Sequence, residues 1–211
     1  MIPAGRAGRF PVVALVGSAG GLAALSQVLG ALPADLPASV LVALHLEPNR
    51  TSQLTAILAG RTALRVTEAV DDAELTPGTV LVVPAGRHLL VTSASRIGLL
   101  DTGALPPRPS ADLLLATLAV TCGPRALAVV LTGKGTDAQA GIRAVVRCGG
   151  TVLAQDEATS TEFGMPGAAI GTELVDAVLP LPAIAGAIQD HVGRYSTRPS
   201  GFAPLDEGYP P

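Results

Sequence analysis

Five consecutive apolar residues, Val12 to Val16, run into Gly17-Ser18-Ala19-Gly20-Gly21. Apolar residues then return with helical spacing at Leu22, Leu25 and Val28-Leu29. The unbroken run predicts a strand buried on both faces. The glycine cluster predicts a tight turn, and the periodic stretch a helix packed back onto the sheet. The same alternation recurs down the chain. Ser39 to Leu44 predicts a second buried strand, Thr51 to Ala59 a helix, and Leu64 to Glu68 a short strand. Turn signals follow at Asp71-Asp72 and Thr76-Pro77-Gly78. Thr79 to Val83 predicts a strand closed by Pro84, and His88 to Val91 with Arg96 to Leu100 an antiparallel hairpin across Thr92-Ser93-Ala94-Ser95.

After a Pro-rich break at Leu105 to Pro109, Ser110 is placed to cap a helix reaching about Thr121. Ala126 to Leu131 is another all-apolar strand. Thr132 to Thr136 is a glycine-punctuated turn, and Asp137 is expected to open a helix to Cys148, ended by Gly149-Gly150. Thr151 to Ala154 predicts a strand, Ala168 to Gly171 a short helix, Val175 to Leu179 a last strand, and Leu181 to Val192 a terminal helix. The fold class that follows is α/β: a three-layer, doubly wound, mostly parallel sheet with an antiparallel hairpin. A single unit is expected over residues 11–194, with a flexible start at 1–10 and a disordered Pro/Gly-rich tail at 195–211.

Composition narrows the function classes. Hydrophobic residues make up 48% and charged residues 15% of the 211, which allows a large core, but aromatics are only 2% and Trp is absent. The core is therefore aliphatic, and stacking platforms for single-stranded nucleic acid are lacking. A net charge of −3 without a basic cluster argues against phosphate-backbone binding. Cys122 and Cys148 fall at expected helix ends, form no metal-spacing motif, and look like small core residues. No His, Cys and carboxylate cluster has metal-ligand spacing, so no metal or cofactor is expected. The stretch before Phe10 carries Arg6 and Arg9 without an apolar signal region, and no apolar run reaches membrane length. These features lead us to expect a reduced, cytoplasmic setting without membrane insertion.

Reactive residues recur at one relative position, the carboxyl end of an apolar strand. Ser18 follows Val12 to Val16, His45 follows Val40 to Leu44, and Asp137 follows Ala126 to Leu131 after a short turn. A parallel sheet brings such tips to one edge, where open α/β sheets bind ligands. Ser, His and Asp there are a nucleophile, a base and an orienting carboxylate. Each also has a plain structural reading: Ser18 in a glycine-rich turn, His45 as a satisfied polar strand end, Asp137 as the N-cap of its own helix. His88 follows a strand and suits a structural role, and His191, late on the terminal helix, is expected to be solvated. The serine turn fits neither a P-loop, which ends in Lys-Ser/Thr, nor the Gly-x-Ser-x-Gly elbow.

Six motifs in order carry a family resemblance. They are Gly17-Ser18-Ala19-Gly20-Gly21; His45-Leu46-Glu47-Pro48; Thr79 to Pro84 with Gly86-Arg87-His88; Arg108-Pro109-Ser110-Ala111-Asp112; Leu131-Thr132-Gly133-Lys134-Gly135-Thr136-Asp137; and Ala154-Gln155-Asp156-Glu157 with Phe163-Gly164-Met165-Pro166. From Val12 to Ile188 the chain resembles the catalytic domain of the chemotaxis protein-glutamate methylesterases, the CheB family. The resemblance implies a serine hydrolase with Ser18 as nucleophile, His45 as base and Asp137 orienting the imidazole. It implies an oxyanion hole made by the backbone N–H groups of Ala19 and Lys134. The implied substrate is a glutamate γ-methyl ester on a chemoreceptor, with methanol leaving, and glutamine deamidation is a second family activity.

The sequence departs from the family pattern in three ways. Val16-Gly17 stands where the family has Gly-Ala. Lys134 and Ala138 stand where the aspartate motif has Met and Gly, and the second change matters if position 138 needs positive φ. About a dozen residues precede the first strand, so no receiver domain, an open cleft and constitutive activity are expected. A binding module of hydrolase-like fold in a sensory system is the alternative reading, and a small-molecule esterase a third.

Overall fold

The computed structural model describes residues 10–45, 53–93, 95–101 and 109–196. Its elements in chain order are β1 (Val12–Gly17), α1 (Gly21–Gly30), β2 (Ser39–Leu44), α2 (Leu54–Ala59), β3 (Arg65–Glu68), β4 (Thr79–Val82), β5 (His88–Ser93) and β6 (Arg96–Leu100). After these come α3 (Ala111–Cys122), a 3-10 turn (Gly123–Arg125), β7 (Ala126–Val130), α4 (Gln139–Arg147), β8 (Thr151–Gln155), α5 (Gly164–Ile170), β9 (Ala177–Leu179) and α6 (Leu181–Ser196). Leu46–Pro48 of the histidine motif, the first two residues of the helix expected from Thr51, Ala94, Leu105–Arg108, the start at 1–9 and the tail beyond 196 lie outside the described residues.

Seven strands form one sheet in the order β3-β4-β2-β1-β7-β8-β9, and every pairing in it is parallel. The antiparallel pair β5-β6 is a separate two-stranded sheet, with a register shift between Val91 and Ser93. The strand order runs one way from β1 through β2 and the other way through β7. The doubly wound switch point therefore lies between β1 and β7.

Alternation along the strands sorts the core into two layers. Val13, Leu15, Val40, Val42, Leu127 and Val129 pack with α1, α2 and α6. Val12, Ala14, Val16, Leu41, Ala43, Ala128 and Val130 pack with α3, α4, α5 and the hairpin. The buried side chains are almost entirely aliphatic, as the composition requires. Among the described residues, no helix is long and apolar enough to cross a membrane.

Two helix starts differ from the sequence reading. The fifth helix begins at Gly164, four residues before the expected start at Ala168, with Pro166 inside its first turn, where a missing N–H costs nothing. The fourth begins at Gln139, with Ala138 as N-cap, so Asp137 does not cap its own helix. Ser110 does cap α3, its hydroxyl accepting the Leu113 N–H. Arg147 ends α4 and Cys148 is its C-cap; Cys122 is buried, whereas Cys148 is half-buried.

His191 contradicts its expectation. It is buried at 1% exposure, with its ring 5.3 Å from that of Tyr195. The terminal helix lies across β8 and α1, and His191 is on the covered side of it. Burial, with Arg194 beside it, pushes the imidazole down to about 4, against the opposing pull of the Arg125 backbone and Asp176.

Candidate active site

The β1–β2 register sets Ser18 beside His45. Gly17 pairs with Leu44, and the His45 N–H donates to the Gly17 carbonyl at 3.0 Å, so each reactive residue stands one position past a paired strand end. On the other side, Leu131 N–H donates to the Val16 carbonyl at 2.8 Å and Ser18 N–H to the Thr132 carbonyl at 3.0 Å. The serine is thus tied into the β7 edge as well, directly at the switch point.

Asp137 reaches His45 across that crevice. The imidazole Nε2 lies 2.9 Å from Asp137 Oδ2, with the two side chains 16% and 6% exposed. The same carboxylate accepts the Ala111 N–H at 2.6 Å through Oδ2 and the Asp112 N–H at 3.0 Å through Oδ1. Those are the first two amides of α3, orphan donors at the positive end of a helix. Burial alone would raise the Asp137 carboxyl. The His45 hydrogen bond, the two amides and the His45 charge outweigh it and hold the group below the ordinary carboxylate value. The Nε2–H tautomer that donates to Asp137 leaves Nδ1 as the imidazole's free lone pair.

Ser18 and His45 line one cavity of about 1030 Å³, open to solvent, with Ala19, Leu22, Leu44, Ile57 and Arg61 also on its walls. The Ser18 hydroxyl makes no hydrogen bond with the His45 ring or any other described residue. Contacts of this kind tighten when substrate is bound. Neither the Ala19 nor the Lys134 N–H is engaged by a described residue. They belong to the two loops that carry Ser18 and Gly133, whose backbones approach each other closely.

Those two loops are braced by Thr132, a residue the sequence reading placed only in a glycine-punctuated turn. Thr132 N–H donates to Gln155 Oε1 at 2.8 Å, and its carbonyl accepts the Ser18 N–H. Its hydroxyl lies 3.0 Å from the Ala19 carbonyl and 3.1 Å from that of Glu162, and receives the Glu162 N–H at 2.9 Å. Gly133 continues the brace. A Cβ there would stand 2.7 Å from Met165 Sδ, 2.8 Å from Ser18 Cβ and 2.9 Å from Ser18 N, so only glycine permits this approach. The Lys134 side chain, 69% exposed, points outward to pair with Glu162 at 3.1 Å.

Ala138 adopts φ +111°, a left-handed conformation that its side chain disfavours. Position 138 thus does need positive φ, and the alanine there is strained. His88 has a structural contact, its Nδ1 accepting the Ser110 N–H at 3.0 Å. Among the described residues, no group of three or more His, Cys, Asp or Glu side chains is placed to hold a metal ion.

Similarity to known proteins follows the same residues. A family model described as CheB methylesterase matches residues 13–188. A protein-glutamate methylesterase/protein-glutamine glutaminase of Moorella thermoacetica is 45% identical over 197 residues, covering 88% of this chain and 46% of that protein. The protein-glutamate methylesterase FrzG of Myxococcus xanthus is 40% identical over 184 residues, covering 87% of this chain and 55% of that protein. The chain spans about half the length of these relatives. The crystal structure of the Thermotoga maritima CheB methylesterase catalytic domain superposes with a TM-score of 0.81 at 32% identity, covering 86% of this chain and 98% of that one.

Proposed function

This chain belongs to the CheB methylesterase family, and from that membership we propose that it hydrolyses glutamate γ-methyl esters on a methylated chemoreceptor or similar signalling protein. Residues 11–194 form the catalytic unit, and the cytoplasm is its setting. The observation that carries the reading is the His45–Asp137 hydrogen bond at 2.9 Å, made by Nε2 and leaving the other ring nitrogen for a serine one strand away.

In this reading His45 Nδ1 takes the Ser18 proton as Oγ attacks the ester carbonyl. Asp137 holds the ring in the required tautomer and stabilises the imidazolium that forms. The tetrahedral oxyanion is received by the Ala19 and Lys134 N–H groups, which cost no reorganisation because Thr132 and Gly133 fix their loops. Collapse breaks the ester C–O bond, and methanol leaves with the proton from His45. Water, deprotonated by His45, then attacks the acyl-enzyme and releases glutamate. The same steps with ammonia as leaving group convert a glutamine side chain to glutamate.

The test is methanol release from a methylated receptor fragment. Wild-type protein should release it, and Ser18→Ala should fold normally with a rate lower by roughly 10³ or more. Equal rates would reduce Ser18 to a turn residue. No release by folded wild-type protein, together with retained binding of the fragment, would leave the binding-module reading.

A further inference from the structure

Two helix starts on the sheet face opposite α1 exchange carboxylates. Asp137, just before α4, accepts the amides of Ala111 and Asp112 at the start of α3. Asp112 returns the arrangement: its Oδ1 accepts the Ala138 N–H at 3.1 Å and the Gly141 N–H at 2.8 Å. Asp112 therefore grips the backbone one residue and four residues beyond Asp137. Its own main-chain N–H grips the Asp137 carboxylate.

Between those grips lies Ala138 at φ +111°. An alanine released from its hydrogen bond falls back toward right-handed backbone. At position 138 that rotation would redirect the peptide entering α4 and swing the Asp137 side chain away from His45. The Cβ-free conformer that would make this position indifferent is not available to alanine.

We propose that Asp112 is a positioning residue for the reaction: its carboxylate holds Ala138 in the strained conformation that keeps Asp137 aimed at His45 Nε2. The proposal rests on the hydrolase reading above. Asp112 touches neither substrate nor the reacting atoms. It acts through Asp137, and the sequence motif Arg108-Pro109-Ser110-Ala111-Asp112 gains a second purpose beyond starting a helix.

The experiment compares Asp112→Ala with Asp112→Asn, whose Oδ1 accepts the same two amides. Asp112→Ala should lower kcat about tenfold to a hundredfold with KM little changed, the scale of a small misplacement in an active site. Asp112→Asn should stay within about threefold of wild type. The downfield proton resonance of the His45 Nε2–H, a direct signature of its bond to Asp137, should persist in Asp112→Asn and vanish or broaden in Asp112→Ala. Adding Ala138→Gly to Asp112→Ala should recover part of kcat, because glycine needs no restraint at that φ. If Asp112→Ala does not fold, Asp112→Ser, which retains one short acceptor, takes its place in all three measurements.

A kcat within twofold of wild type in folded Asp112→Ala, with the Nε2–H resonance intact, overturns the proposal, as does a lowered Tm with unchanged kcat. Asp137→Ala, assayed alongside, separates the two levels. If it abolishes turnover while folded Asp112→Ala stays within about twofold of wild type, the positioning role fails and the hydrolase reading stands. If Asp137→Ala itself turns over normally, the hydrolase reading fails.

Discussion

His45 presents Nε2, not Nδ1, to Asp137, at 2.9 Å from Oδ2. In the proposed mechanism the ring nitrogen that serves as base is thereby Nδ1, the one nearer the imidazole's own main chain. This suits a histidine whose backbone is bonded directly to the strand that carries the serine.

Asp137→Asn should lower kcat by roughly 10²–10⁴, because the amide no longer stabilises the imidazolium or fixes its tautomer. It should also cost about 1–3 kcal/mol, since the Ala111 and Asp112 amides lose a charged acceptor. The Asp137 carboxyl is depressed in the folded protein, so its contribution is present above about pH 4, the unfolded value, and is lost as pH falls through the folded one. Urea unfolding of the two proteins should show a constant gap at neutral pH that closes below pH 4.

Gly133→Ala should disable the site from the far side of the serine. The new methyl would meet Ser18 Cβ and N at 2.8 and 2.9 Å, and Met165 is the one neighbour able to yield. The expected loss is about 1–3 kcal/mol of stability and about a hundredfold in kcat. Denaturation midpoints and steady-state rates on the same preparation check both.

Lys134→Met should be nearly silent. The side chain makes an exposed pair with Glu162, worth at most about 0.5 kcal/mol. In the proposed mechanism the group offered to the oxyanion is the backbone N–H, which the change leaves in place, so kcat should move by no more than about threefold. A hundredfold loss would show that the ammonium itself takes part.

Ala138→Gly should stabilise the chain by about 1 kcal/mol, because it relieves a left-handed alanine. Ala138→Val, with a branched side chain at the same φ, should lose more than that. Urea midpoints at unchanged slope decide the matter.

His191 should make stability fall across mild acid. Its folded value of about 4 lies below the unfolded value of about 6.5, so the unfolded chain binds the extra proton first. The contribution is complete above pH 6.5 and declines as pH falls toward 4. The loss by pH 4.5 is on the order of 2 kcal/mol. His191→Phe should lose less stability than wild type between pH 7.5 and 4.5, whatever its absolute midpoint.

Much of this was legible in the chain because parallel strands buried on both faces leave continuous apolar runs. Val12–Val16 and Val40–Leu44 mark themselves, and the polar residue that ends each run is placed by the register. What escaped depends on contacts between distant segments. Asp112 looks like any acidic residue in a first helical turn, and its second role exists only because the start of α4 lies against it. Asp137 looked like a cap for its own helix and caps another. Thr132 is one small polar residue in a glycine turn until Glu162 and Gln155 arrive. The burial of His191 is set by which side of α6 the sheet covers, and a helix of mixed polarity does not announce that side.

The strand order has a bearing on the life of the chain before it is complete. β1 is central, with β2 on one side and β7 on the other, and β7 is separated from β1 by more than half the sequence. During synthesis Ser18 and His45 emerge well before the strand that delivers Asp137, Thr132 and Lys134. Pairing across such a separation is slow compared with local helix formation. In the proposed mechanism, a molecule in which β7 has not yet paired therefore carries its serine without the Asp137 carboxylate and the Lys134 amide. Under the proposed hydrolase reading, reactivity toward esters follows only once the sheet has closed around its middle strand.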